Sequence, residues 1–498
     1  MSPIDRRTFL EFAALAALAP RELLAQTPDL EELTIAELRR FSARQLTELY
    51  LARIDALDKS VNSIIERNPD ALAIADTLDR GPRRGPLHGI PILIKDNIDT
   101  ADRMHTTAGS LALADSIAAR DAHVVKRLRD AGAVILGKTN LSEWANFRST
   151  HSTSGWSARG GLTRNPYALD RNACGSSSGT GAAIAASFAA VGVGTETDGS
   201  IVCPSSACGL VGLKPTLGMI SGAGIIPIAH SQDTAGPMAR TVTDAAILLG
   251  AMADKDADYT KFLDQDGLRG ARIGVARKYF GFNDRVDALV NESLDVIKQL
   301  GATLVDSADM ETTGKYDDTE LEVLLYEFKT DLNKYLAQLP PNIETRTLAD
   351  LIEFNVKNRE REMPYFGQEL FERAEKKGPL TSAEYKKALA KNHRLSRNEG
   401  IDAVLKKHKL DAIVAPTGGP VWCTDLVNGD HYTGGYSSAS AVAGYPHITV
   451  PAGQVFGLPV GLSFFAGAWS EPVLLKFGYA FEQATKARKA PRFLERQP

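Results

Sequence analysis

Cysteine is scarce in this chain and carries no metal signal: Cys174, Cys203, Cys208 and Cys423 are the only four in 498 residues, with no CxxC pair. Three of them flank Gly- and Ser-rich stretches, where unpaired, small, buried packing residues are the expectation. The nine histidines form no HExxH or similar cluster, so neither a metal nor a cofactor is expected. No apolar run reaches the roughly 18 residues of a membrane helix, which argues against membrane insertion. Positive charge is not in excess: 57 Lys and Arg against 61 Asp and Glu leave a net charge of −4. Without a basic stripe interleaved with aromatics there is nothing to neutralise phosphates, and nucleic acid is not an expected partner.

What the chain does have is size, with 44% hydrophobic residues over 498 positions, enough to bury a large core. It also has the stretch CGSSSGTGAAIAASFAAVGVGTETDGS, residues 174–200. Gly175, Gly179 and Gly181 remove Cβ where a backbone turns tightly or approaches another group. Ala182 to Val191 reads as a small-residue helix and Val191 to Thr195 as a short buried strand. Two serine-bearing loops, with Ser176 and Ser200, therefore lie at the ends of one helix–strand unit. A nucleophilic serine needs a proton acceptor, and no histidine lies in this stretch. Upstream, the apolar run Ile90 to Ile94 ends in Lys95, an amine at a strand tip. A lysine can act as base once burial or nearby positive charge brings its pKa down from about 10.4, as in Ser-Lys variants of the serine triad.

These residues resemble the amidase signature family. The matching stretches are HGIPILIKDNIDT (88–100), CGSSSGTGAAIAA (174–186), GTETDGSIVCPSSACGLVGLKPTLGMIS (194–221) and SQDTAGPMARTVTDAA (231–246), with APT (415–417), YPHITVP (445–451) and GLPVGLSFFAG (457–467) near the end. The resemblance implies an α/β fold: a single domain with a mixed central β-sheet covered by helices. It implies a Ser–cis-Ser–Lys triad, with Ser200 as nucleophile, Ser176 as the bridging serine after a cis peptide bond and Lys95 as base. The backbone N–H groups of Thr197, Asp198, Gly199 and Ser200 would form the oxyanion hole. The implied reaction is carboxamide hydrolysis through an acyl-enzyme, with release of ammonia or an amine.

Two departures from the family's commonest loop narrow the substrate. Glu196 and Asp198-Gly199 stand where Asp and paired glycines are usual, and Val202 where many relatives carry arginine. The loop GTETDGSIVCP resembles that of bacterial peptide amidases, which act on C-terminal peptide amides, so the expected substrate is a peptide amide or another neutral amide.

Residues 26–498 are expected to form the amidase domain, with a charged helical insertion over 318–408. Its stripe Leu324, Leu325, Phe328, Leu332, Tyr335 and Leu339 is expected to pack in a core, and Tyr365-Phe366 to rim the substrate site. Residues 29–60 read as two amphipathic helices; Arg272–Ala276, Asp284–Leu300 and Thr303–Asp306 read as strand, helix and strand. The Gly- and Ser-rich segment 429–441 reads equally as a mobile lid or a plain surface loop. At the N-terminus, Asp5-Arg6-Arg7-Thr8-Phe9-Leu10 and the apolar block Phe12 to Ala19 suggest a twin-arginine signal peptide over 1–25, hence export; an amphipathic helix is the alternative.

Other readings compete for the same residues. Gly175 to Gly179 satisfies G-x-S-x-G, which would make Ser177 an esterase nucleophile, but that elbow must follow a strand and Arg164 to Ala173 is polar and contains Pro166. Gly209 to Thr216 lacks the phosphate-loop spacing. An ammonia-delivering amidotransferase subunit shares the signature, and an exported solute-binding protein is the non-enzyme alternative.

Overall fold

The computed structural model describes residues 29–497. The chain divides into Met1–Glu31 and Glu32–Pro498; the signal peptide expected over 1–25 lies outside the described residues. From Glu32 onward the framework is an eleven-stranded sheet. Its strands are β1 (Ile64–Arg67), β2 (Pro91–Lys95), β3 (Val134–Thr139), β4 (Val191–Glu196), β5 (Val211–Lys214), β6 (Thr234–Ala239), β7 (Arg272–Val275), β8 (Thr303–Val305), β9 (Ala412–Pro416), β10 (His447–Val455) and β11 (Leu458–Phe465).

The spatial order is β1-β3-β2-β4-β6-β5-β10-β11-β9-β7-β8. Strand β2 runs parallel to β3 and β4, while β4–β6, β6–β5 and β5–β10 are antiparallel, so the sheet is mixed as expected. Every residue of β2 and β4 is buried, which is why both read as continuous short runs rather than alternating ones. The strand, helix and strand expected over 272–306 fall at Arg272–Val275, Asp284–Gln299 and Thr303–Val305. Residues 29–60 yield one short helix, Ile35–Leu38, and a long one, Ala43–Val61, each opened by a capping box.

The helix between the two serine loops, α1, spans Ser178–Ala185 rather than Ala182–Val191. It starts early because Gly179 lets the backbone settle against its neighbours: a Cβ there would lie 2.4 Å from the carbonyl oxygen of Asn140 and 2.5 Å from that of Ser63. It stops early because Ser187 turns left-handed, at φ 56°. A second short helix, α2 (Val202–Ala207), follows Ser200.

The charged segment contains a run of helices, beginning with α3 (Asp317–Leu336) and ending with Asp402–His408. Leu325, Phe328 and Leu332 are fully buried, with Leu324, Tyr335 and Leu339 packed beside them. The same cluster contains Trp144 and Phe147 of the 142–148 turn, and Phe328 stacks on Phe371 with ring centroids 5.3 Å apart. The insertion is therefore seated on a turn that reaches the serine loops.

Candidate active site

The tip of β2 delivers Lys95 into a pocket where it has no solvent exposure. Its Nζ donates to Ser176 Oγ at 2.7 Å and to Thr195 Oγ1 at 2.9 Å, and lies 3.3 Å from the Thr195 carbonyl oxygen. Burial brings the Lys95 pKa down to about 7, against the opposing pull of the Asp233 and Glu196 carboxylates. The amine is thus poised between its charged and neutral forms near neutral pH.

Ser176 follows a cis peptide bond from Gly175, the geometry the resemblance implied. Its carbonyl accepts the Ser142 N–H at 3.1 Å, and the N–H of Ser177 donates to the Ser200 carbonyl at 3.2 Å, so the two serine loops are in direct contact. The hydroxyls of Ser176 and Ser200 are not themselves hydrogen-bonded to each other; catalytic contacts of this kind commonly tighten only on substrate binding. Exposure rises from 0% at Lys95 and Ser176 to 8% at Ser200, which places Ser200 at the accessible end of the row.

The run Thr197 to Ser200 lies between the end of β4 and α2. Among the described residues, the N–H groups of Asp198, Gly199 and Ser200 meet no protein acceptor, while the carbonyls at 197, 199 and 200 are engaged. Gly199 is left-handed, at φ 77°, and a Cβ there would meet Ser437 Oγ at 3.0 Å. Side chains on all sides fix the run. Glu196 Oε2 accepts the N–H groups of Ile201 and Val202 at 2.7 and 3.0 Å. Thr197 Oγ1 donates to Asp233 at 2.6 Å, and Gln232 Nε2 bridges the Thr197 carbonyl and Glu320 of α3. Asp198 accepts the hydroxyls of Ser437 and Ser438. The 429–441 segment is therefore tied to the Thr197–Ser200 run, and it leads into the helix Ser438–Ala443.

Three expectations need correction. Cys174 and Cys203 are not unpaired: the fold brings their Cα atoms to 6.0 Å and they form a disulfide. Cys208 is free and buried, Cys423 free and exposed. Phe366 is buried against Arg148 and Trp156, so of the expected rim pair only Tyr365 is exposed. A strand, Ala168–Asn172, does precede the Gly175–Gly179 loop, but it belongs to a separate two-stranded ribbon, where Asn165 and Asn172 are buried polar anchors. The esterase elbow fails on a different ground. The Ser177 hydroxyl is wholly buried and spent on β4, donating to the Thr195 carbonyl at 3.1 Å and accepting the Thr195 N–H at 3.2 Å.

Sequence reasoning missed Thr195, Asp233, Gln232, Glu320 and the Ser437-Ser438 pair. Thr195, Gln232 and Asp233 sit inside the matched stretches, so their positions were visible although their roles were not. Ser437 and Ser438 reach Asp198 from 239 and 240 residues away, and nothing local marks them.

A cavity of about 640 Å³ opens beside the site. Asn97, Thr195, Glu196, Thr197 and Asp233 line it, together with Tyr335 of α3. Ser200 does not line it, so it meets the strand-end side of the site. His230, Glu327 and Asp331 converge near its rim. His230 pairs with Asp331 at 2.7 Å and lies 3.5 Å from Glu327, whose carboxylate accepts the Ser231 N–H and the Tyr385 hydroxyl, so these groups already have partners within the protein.

Comparisons with known proteins fit this architecture. The native peptide amidase of Stenotrophomonas maltophilia superposes with a TM-score of 0.88 at 48% identity, covering 93% of this chain and 99% of that one. An Arabidopsis thaliana protein named "probable amidase" is 42% identical over 95% of this chain and 93% of its own length. A glutamyl-tRNA(Gln) amidotransferase subunit from Acinetobacter baumannii is 37% identical over 92% of this chain and 97% of its own. Fold and relatives together define a hydrolase of amide bonds. The family model described as Amidase matches residues 45–475, and the chain belongs to that amidase signature family.

Proposed function

We propose that the chain hydrolyses neutral carboxamides, C-terminal peptide amides foremost, with Ser200 as nucleophile, Ser176 as proton relay and Lys95 as base. The observation that carries this reading is the 2.7 Å contact between Lys95 Nζ and Ser176 Oγ in a pocket without solvent. With Nζ neutral, that contact reverses direction and the Ser176 hydroxyl becomes the donor. Ser200 Oγ then attacks the carbonyl carbon, its proton passes to Ser176, and the proton of Ser176 passes to Lys95. The oxyanion is received by the backbone N–H groups of Thr197, Asp198, Gly199 and Ser200. As the C–N bond breaks, the relay returns a proton to the departing nitrogen, and water takes the same route to release the acid.

Carboxylates crowd the nucleophile loop: Glu196, Asp198, Asp233 and Glu320 all reach it or its immediate partners. Arg148, also buried, is already engaged by Glu143 and Glu362. A substrate carboxylate next to the scissile bond would be desolvated beside acidic groups whose own pKa values burial already pushes up, which supports neutral amides as substrates. The likeness to the Stenotrophomonas peptide amidase points the same way. The test is ammonia or amine release by the purified chain from a panel of peptide amides, aryl amides and short aliphatic amides, with Ser200→Ala alongside. Turnover of peptide amides by the wild type and none by Ser200→Ala is the expected pattern; full activity in the variant contradicts the assignment.

The likeness to the amidotransferase subunit supports a second reading, ammonia delivery to a partner. Turnover of free amides by the chain alone favours the hydrolase. Export by the twin-arginine leader is a separate proposal, tested by N-terminal sequencing of the mature protein from the fraction that contains it.

A further inference from the structure

We propose that the Cys174–Cys203 disulfide is a positioning element of the catalytic pair, holding the loop of Ser176 against the loop of Ser200 so that opening it slows turnover. The proposal rests on the assignment of Ser176 and Ser200 above. Cys174 stands two residues before Ser176 and Cys203 three after Ser200, and the bridge closes a separation of 29 residues. Each half-cystine is also held rigidly to its own loop. The Cys174 N–H donates to Asn172 Oδ1 at 2.7 Å and its carbonyl accepts the Ser178 hydroxyl. The Cys203 N–H donates to the Gly199 carbonyl at 2.8 Å, within the run that carries the free N–H groups. The disulfide therefore transmits position from one loop to the other, not merely between two side chains.

Few other contacts cross directly between the two loops. The backbone bond from Ser177 N–H to the Ser200 carbonyl is one. The remaining anchors tie each loop to something else: Ser176 to Ser142 and Lys95, Thr197 to Asp233 and Gln232, and Asp198 to Ser437 and Ser438. Without the bridge, one hydrogen bond is the direct link between the two loops, and the hydroxyls that must exchange a proton are otherwise placed through the neighbours to which each loop is anchored, Thr195 and Lys95 among them. A misplacement of about 1 Å at a reacting centre costs on the order of 10²-fold in rate. Lys95 is anchored to Thr195, outside the bridged loops, as well as to Ser176, and burial sets its titration, so opening the bridge should leave the midpoint in place.

Opening the bridge takes two electrons and two protons. A dithiol such as dithiothreitol supplies them, leaving Cys174 and Cys203 as thiols and becoming a cyclic disulfide. The experiment compares oxidised wild type, wild type reduced by dithiothreitol with the two new thiols counted by alkylation and mass, and a Cys174→Ala/Cys203→Ala double variant. All are assayed at 25 °C under conditions where circular dichroism shows them folded. Reduced and variant enzymes are expected to lose at least tenfold in kcat with KM within twofold and the midpoint of the pH profile unmoved. Reoxidation should restore the wild type, and dithiothreitol should leave the variant unchanged. If reduction is incomplete the variant decides, and if the variant misfolds the reduced wild type decides. A kcat within twofold of the oxidised enzyme overturns the proposal, even where thermal stability falls. Ser200→Ala separates the two levels: an active Ser200→Ala sinks the nucleophile assignment, whereas an inactive one beside a fully active reduced enzyme sinks the positioning role alone.

Discussion

At the residue scale the proposed chemistry turns on the protonation of Lys95. Its pKa is brought down to about 7 by burial, while Asp233 and Glu196 pull it upward. The rate should therefore rise with pH through a midpoint near 7, read from kcat/KM of the free enzyme. Lys95→Ala should cost 10²- to 10⁴-fold, roughly what general base catalysis supplies, and Lys95→Arg should not restore it because a guanidinium stays charged. Glu196→Gln keeps an oxygen for the Ile201 and Val202 N–H groups but removes a charge that favours protonated Lys95, so it should move the midpoint down. An upward or absent shift would contradict this electrostatic account. The same depression affects stability. Between about 7 and the ordinary value of 10.5 the unfolded chain holds a proton that the folded chain has released, so stability rises with pH across that window. Below about 7 the penalty is complete, and Lys95→Met should gain stability over wild type as pH falls from 10 to 7, measured by denaturant midpoint.

At the element scale the site is held by the packing behind it. Phe328 of the insertion meets Phe147 at 4.9 Å and Phe371 at 5.3 Å between ring centroids, in the cluster that also buries Trp144. Phe328→Ala should destabilise the protein by about 3–5 kcal/mol. It should also lower activity, because the 142–148 turn that this cluster supports carries the N–H bonded to the Ser176 carbonyl. Unchanged stability in urea unfolding would show that the insertion is not part of the same cooperative unit. The strands that position the site were legible in the sequence: Pro91–Lys95 and Val191–Glu196 are short apolar or small-residue runs with a polar tip, and burial on both faces explains why they do not alternate. The helix Ser178–Ala185 was displaced by four residues because Ser and Gly are poor helix signals and its true start depends on a tertiary contact at Gly179. The disulfide was not legible at all, since 29 residues of separation carry no pairing rule and only the fold brings the two loops together. The Ser437–Asp198 contact is of the same kind.

At the scale of the whole molecule, one eleven-stranded sheet collects Lys95, Ser176 and Ser200 from three segments and surrounds them with acidic side chains. That charge distribution predicts discrimination between substrates. A neutral peptide amide should show a higher kcat/KM than a half-amide of matched size with a free carboxylate beside the scissile bond, and the reverse order would refute the substrate reading while leaving amide hydrolysis intact. The most direct measurement of the central claim is the site of covalent modification by a serine-reactive fluorophosphonate, located by mass spectrometry in wild type, Ser200→Ala and Ser177→Ala. One adduct per chain on Ser200, retained in Ser177→Ala and lost in Ser200→Ala together with activity, is the predicted result. An adduct on Ser177, or labelling and turnover that survive Ser200→Ala, would contradict it.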